Sequence, residues 1–191
     1  MLIDRRPWSA LPPTRVQLAA NSDWENAYEV PPSGADEWLA EHQGKVSLEV
    51  FFTESIFLGV HLTKLPPPTR PDFVRALLAS LKNQTLAFAR AFWRLPNGTP
   101  LLSPDPPRAL EVGVVDAWQN NSPAVIWKAG ERRPTLTRLT KPLREPHPTR
   151  IALEASFANE TWIGRDVSTR TKDGYTLNEA ELTRAATDFL T

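Results

Sequence analysis

The sequence predicts an α+β fold: a mainly antiparallel sheet of about five strands, one long helix (about 71–95) packed on one face, short flanking helices and a proline-rich N-terminal arm. Three observations predict it. Pro71 to Leu95 repeats apolar residues at helical spacing, paired stretches elsewhere alternate apolar and polar residues around turn-length gaps, and prolines crowd the first 32 residues. The expected organisation is an arm over residues 1–32 followed by a single α+β domain over 33–191.

In the arm, Trp8, Trp24 and Tyr28 lie among Pro7, Pro12, Pro13, Pro31 and Pro32, a composition suited to an extended segment held down by its rings. A short strand is expected at 14–19. Ser33-Gly34-Ala35-Asp36 opens a short helix with a capping pattern, anchored by Trp38 and Leu39 and ended where Gly44 turns left-handed. Lys45–Thr53 and Ile56–Thr63 form a hairpin around Thr53-Glu54-Ser55, with Val46, Leu48, Val50 and Phe52 alternating in the first strand and Ile56, Leu58, Val60 and Leu62 in the second. His61 then falls on the opposite face. It has no metal-ligand partner at readable spacing.

Pro66-Pro67-Pro68 is a rigid spacer into the long helix, whose core face carries Phe73, Val74, Leu77, Leu78, Leu81, Thr85, Phe88, Ala91, Phe92 and Leu95. Pro71 suits the first turn, and Pro96-Asn97-Gly98 supplies the stop. Ala109–Trp118 and Pro123–Ala129 are a second hairpin across Gln119–Ser122. Four prolines keep Glu131–Thr149 irregular. Arg150–Phe157 returns as a strand, 161–167 extends the sheet, and Thr176-Leu177-Asn178-Glu179 is a capping box for a final helix. No internal repeat is evident.

Composition narrows the function classes. The formal net charge is zero, so bulk electrostatics does not predict a nucleic-acid or anionic-membrane partner. There is no cysteine, which excludes disulfides, thiolate catalysis and cysteine zinc sites. The opening MLIDRRPWSALPP lacks an apolar core of signal-peptide length, and no run reaches the roughly 18 apolar residues of a membrane span. A cytoplasmic protein without cofactor, metal or small-molecule ligand is expected.

Two contact features remain. Ala79, Leu86 and Trp93, seven apart, make a second apolar line on the charged side of the long helix, with Leu86 and Trp93 as candidate anchors. Arg132, Arg133, Arg138, Lys141 and Arg144 make the proline-rich connection basic, while the first third is acidic. Together they point to a non-enzymatic module for protein binding or complex assembly, whether with another protein or with further copies of itself. The same arginines could instead serve a nucleic-acid-binding protein, giving phosphate contacts beside exposed tryptophans. A metal-dependent hydrolase or nuclease is the third reading: Asp105, Glu111 and Asp116 precede Lys128, though Ile126 stands where a metal carboxylate is wanted.

Overall fold

Alternation of apolar residues with period two sets the strands, and their register sets everything packed on them. A computed structural model describes residues 13–52, 56–81, 107–115, 118, 123–158 and 161–190. The chain divides into two units, Met1–Pro104 with Asn159–Thr161, and Asp105–Ala158 with Trp162–Thr191.

The first unit contains β1 (Arg15–Ala20), β2 (Tyr28–Glu29), α1 (Asp36–Glu41), β3 (Val46–Phe51), β4 (Ile56–His61) and α2 (Arg70–Ser80). Its strands lie in the order β2-β1-β3-β4 and every pair is antiparallel. Register puts Val16 opposite Val50, Leu18 opposite Leu48, Leu48 opposite Val60 and Val50 opposite Leu58, so one face is continuously apolar. The other face carries Glu49, Phe51 and Phe57, with the two rings 5.5 Å apart, and Ser47 hydrogen-bonded to His61 Nδ1 at 2.7 Å. Helix α2 buries Phe73, Val74 and Leu77. Arg70, at its first turn, is buried as well: its guanidinium donates to the carbonyls of Leu65 (3.1 Å) and Gly44 (2.9 Å), tying the Pro66–Pro68 spacer to the entry of β3.

The second unit contains β5 (Ala109–Val114), β6 (Ala124–Lys128), β7 (Ile151–Ser156), β8 (Thr161–Asp166, from residue 162), the hairpin β9 (Ser168–Thr171) and β10 (Gly174–Leu177), and α3 (Glu179–Leu190). Its sheet runs β6-β5-β7-β8, again antiparallel throughout. Leu110, Val112 and Val114 face Ala155, Leu153 and Ile151, and α3 buries Leu182, Ala185, Ala186 and Phe189. Arg165 of β8 joins sheet to helix through Glu181 (2.8 Å) and Asp188 (3.0 Å).

The two units repeat one plan. In each, a first strand pairs with a second and a third, the third pairs with a fourth, and a helix follows. Strands β3 and β4 recur as β7 and β8 at one constant spacing, 46 to 151 and 56 to 161, with Leu48, Glu49, Phe52 and Gly59 reappearing as Leu153, Glu154, Phe157 and Gly164. Backbone hydrogen bonds coincide as well. Leu62 N donates to Val46 O (2.8 Å) as Val167 N does to Ile151 O (2.9 Å), and Asn21 N donates to Lys45 O as Val115 N does to Arg150 O, both at 2.9 Å. The expectation of no internal repeat is thereby corrected. Four identities hide among conservative exchanges such as Val46 for Ile151 and Leu58 for Ile163, which keep the pleat and change the letters.

The predicted α+β architecture is also corrected. The structure is mostly sheet: eight strands, four in each unit, plus the β9–β10 hairpin, with helices of 6, 11 and 12 residues among the described residues. Periodicity extended the long helix over 71–95, but the described helix ends at Ser80, where the Leu81 amide closes on the Leu77 carbonyl; residues 82–95 lie outside the described residues. The undercount of strands has its own cause. Alternation places seven strand segments, at 14–19, 45–53, 56–63, 109–118, 123–129, 150–157 and 161–167, against the expected total of about five. The three described strands it does not place are β2, only two residues long, and β9 and β10, which carry too few apolar residues to alternate.

Two helix starts differ from expectation. α1 has no side-chain cap, and it ends at His42 rather than on a left-handed Gly44. α3 is capped by Asn178, whose Oδ1 accepts from Glu181 N at 3.1 Å, because Thr176 belongs to β10 and bonds to the Thr169 carbonyl instead. From the expected arm, β1 lies within a residue of its predicted position and β2 is an addition. No helix among the described residues is long and apolar enough to cross a membrane.

The repeat makes a paired prediction. Leu48 and Leu153 occupy equivalent, fully enclosed positions, so Leu48→Ala and Leu153→Ala should each cost about 2–5 kcal/mol in urea unfolding. Gly174 has φ +126°, and a Cβ there would run into the His147 carbonyl oxygen. Gly174→Ala should lower stability by about 2 kcal/mol or more in the same measurement.

Candidate functional site: a clamped basic turn

Strand β6 ends at Lys128, and the chain reverses through Ala129 and Gly130 (φ +98°), with Glu131 N donating to Lys128 O at 3.0 Å. Glycine permits that φ at no steric cost. One carboxylate then locks the turn. Glu131 accepts from Lys128 N (3.1 Å) and takes both terminal nitrogens of Arg138, at 3.0 and 2.7 Å. This forked pair holds the Glu131 carboxyl below its ordinary range and raises the Arg138 guanidinium, the mutual hydrogen bond being the main cause on each side. The Trp127 indole donates to Glu131 O at 2.9 Å, and Thr135 N donates to Ile126 O at 2.7 Å, so the segment after the turn lies against β6. Only part of the basic connection is therefore available. Arg138 is engaged by Glu131, Arg144 pairs with Glu179, and Arg150 approaches Asp166 at 3.8 Å.

Arg132, Arg133 and Lys141 are exposed and form no hydrogen bond or ion pair with described residues. Antiparallel register adds two more cations beside the turn. Ala109 pairs with Lys128, and the preceding Arg108, also exposed, accepts at its carbonyl from Ala129 N at 2.8 Å. Arg108, Lys128, Arg132 and Arg133 thus gather at one end of the β5–β6 pair. Arg108 escaped the sequence reading because only strand register places it next to Lys128.

Of the remaining candidates, Leu86, Trp93, Asp105 and Asp116 lie outside the described residues. Ala79, the described member of the second helical line, is exposed. The hydrolase set is represented by Glu111 and Lys128. Glu111 sits in the middle of β5 opposite Val125 and Glu154; burial pushes its carboxyl upward, and the Lys128 ammonium pulls it partly back. No group of three or more His, Asp or Glu side chains that could hold a metal occurs among the described residues.

No family model, no curated protein and no solved structure matches this chain.

The raised Glu111 carboxyl fixes the sign of a pH effect. The folded chain holds this proton more tightly than the unfolded chain, so the group's contribution is fullest below the ordinary glutamate range and is lost as pH rises through the folded value. Glu111→Gln should therefore gain stability relative to wild type between about pH 4 and about pH 7. Urea unfolding at both pH values measures the change, and a difference that stays flat would count against burial as its cause.

Proposed function

We propose that the chain is a protein-interaction module that binds an acidic protein surface through the basic turn at residues 128–133, with Arg108 at its side. One observation carries this reading: Glu131 and Arg138 neutralise each other while fixing the turn, leaving Arg132 and Arg133 exposed with no hydrogen bond or ion pair to described residues. Cations held in place lose less conformational entropy on binding than those on a loose loop. Their field also steers an acidic partner at low ionic strength.

The nucleic-acid reading uses the same charges but also needs stacking surfaces beside them. Trp127, the tryptophan of this turn, is 8 % exposed and its indole N–H is already engaged. That favours a carboxylate-rich protein surface over a single strand. Of the hydrolase set, Glu111 and Lys128 lie among the described residues; Glu154 stands opposite Glu111, but no group of three or more acids or histidines that could hold a metal occurs among the described residues.

A labelled oligo-glutamate peptide and a labelled single-stranded oligonucleotide, titrated at low and high salt, test the proposal. The peptide should bind at low salt and release as screening shortens the Debye length toward about 8 Å at physiological ionic strength. Arg132→Glu/Arg133→Glu should abolish binding with an unchanged thermal midpoint, because neither side chain holds the fold. Equal binding by the variant, or tighter binding of the oligonucleotide than of the peptide, would overturn the reading.

A further inference from the structure

The first unit carries a surface of the opposite character, at the strand that corresponds to β6. Strand β2 is outermost in the order β2-β1-β3-β4, as β6 is in β6-β5-β7-β8. Against β2 the rings of Tyr28, Trp38 and His42 form a ladder: Tyr28 and Trp38 stack with centroids 5.6 Å apart at 13°, and Trp38 and His42 at 3.9 Å and 15°. His42 Nδ1 donates to the Trp38 carbonyl at 2.7 Å, which fixes the imidazole over the indole. All three rings are only partly buried. Glu25, Glu29, Glu37 and Glu41 are exposed around them, with no hydrogen bond or ion pair to described residues.

The neighbouring acids behave differently. Asp36 is paired with Arg75, and Asp23 accepts from the backbone and side chain of Asn26. Helix α1 carries acids at both ends: Asp36 and Glu37 in the first turn suit its dipole, and Glu41 in the last turn opposes it. Glu37 and Glu41 stand four apart, a like-charge spacing that costs about 0.2–0.5 kcal/mol, and no base occupies the last turn, where the helix dipole favours one. A cation resting on this helix would relieve both penalties. A guanidinium suits it best, because its plane stacks on indole and phenol faces while its edges donate to carboxylates.

Resting on the reading above, we infer that the acidic partner is a second copy of this chain: the basic turn of one copy, led by Arg132 and Arg133, docks on the Tyr28–Trp38–His42 ladder of another. Three cations with no side-chain hydrogen bond or ion pair to described residues, Arg108, Arg132 and Arg133, sit beside Lys128, whose ammonium already acts on Glu111 and Glu131. They meet four carboxylates equally without such partners, Glu25, Glu29, Glu37 and Glu41, across a chain of zero net charge. Each surface repels itself, so a two-fold contact using one patch twice is disfavoured. Each contact therefore joins the basic turn of one copy to the acidic ladder of another.

Sedimentation velocity on the full chain tests this. Wild type should show an average mass that rises with protein concentration at low salt and returns to the monomer value at high salt. Arg132→Glu/Arg133→Glu and Glu37→Lys/Glu41→Lys should each weaken self-association about tenfold or more. An equimolar mixture of Arg132→Ala/Arg133→Ala and Glu37→Gln/Glu41→Gln, whose altered surfaces carry no charges that could pair with each other, should give a one-to-one heterodimer and nothing larger, because one intact acidic surface and one intact basic surface remain. Should the lysine variant lose its wild-type circular dichroism, Glu37→Gln/Glu41→Gln replaces it with the same expectation. A wild-type chain that stays monomeric at every salt while still binding the oligo-glutamate peptide would overturn this inference and leave the proposed function standing. Self-association that survives either reversal, or a mixture that forms no heterodimer, would overturn it as well.

Discussion

The whole structure depends on two central strands, β3 and β7, each hydrogen-bonded on both sides. Every residue of β3 is buried, and in β7 only Glu154 and Ser156 retain some exposure. A slip of one residue would send Val46, Leu48 and Val50 to the opposite face and bring Ser47 and Glu49 into the apolar layer, so the register is strongly determined. α2 and α3 then contribute their own buried faces, Phe73, Val74 and Leu77 in the first and Leu182, Ala185, Ala186 and Phe189 in the second. The bonds at the strand ends, such as Thr14 N to Phe51 O and Arg108 N to Ser156 O, both 2.7 Å, then close the first and third strands in register.

On that common skeleton the two units have diverged in how they attach their helices. Val60 in β4 corresponds to Arg165 in β8, and where the first is buried the second reaches Glu181 and Asp188 on α3. Such partly exposed pairs contribute at most about 1 kcal/mol each, so α3 still depends mainly on Leu182, Ala185, Ala186 and Phe189 for its attachment. The second unit also inserts the β9–β10 hairpin before its helix, anchored by mutual hydrogen bonds between the His147 and Tyr175 backbones at 2.7 and 2.8 Å. Gly174 is required there because the His147 carbonyl occupies the place of a side chain.

Divergence is greatest at the outermost strands. The segment after β6 is held by the Glu131–Arg138 fork and leaves cations outward, while β2 and α1 leave carboxylates around stacked rings. The repeated backbone thus carries opposite charges at its two outermost strands, cations beside β6 and carboxylates beside β2. The total charge conceals this, because the two sets cancel in the sum.

Much of the local structure was legible without coordinates. Alternation located β3, β4, β5, β6 and β7 within a residue or two outside the turn-proximal ends, and the helical period identified Phe73, Val74, Leu77 and Leu81 as buried. These signals are local: each depends on which side of one strand or one helix a residue lies. The fate of each arginine was not legible, since whether Arg138 is engaged and Arg132 exposed depends on where a turn places Glu131. Nor was the strand count, the end of the described part of α2 or the repeat. Pairing partners, helix termini and the equivalence of Leu-Glu in β3 with Leu-Glu in β7 are relations between distant segments, and only hydrogen-bond register in the folded chain decides them.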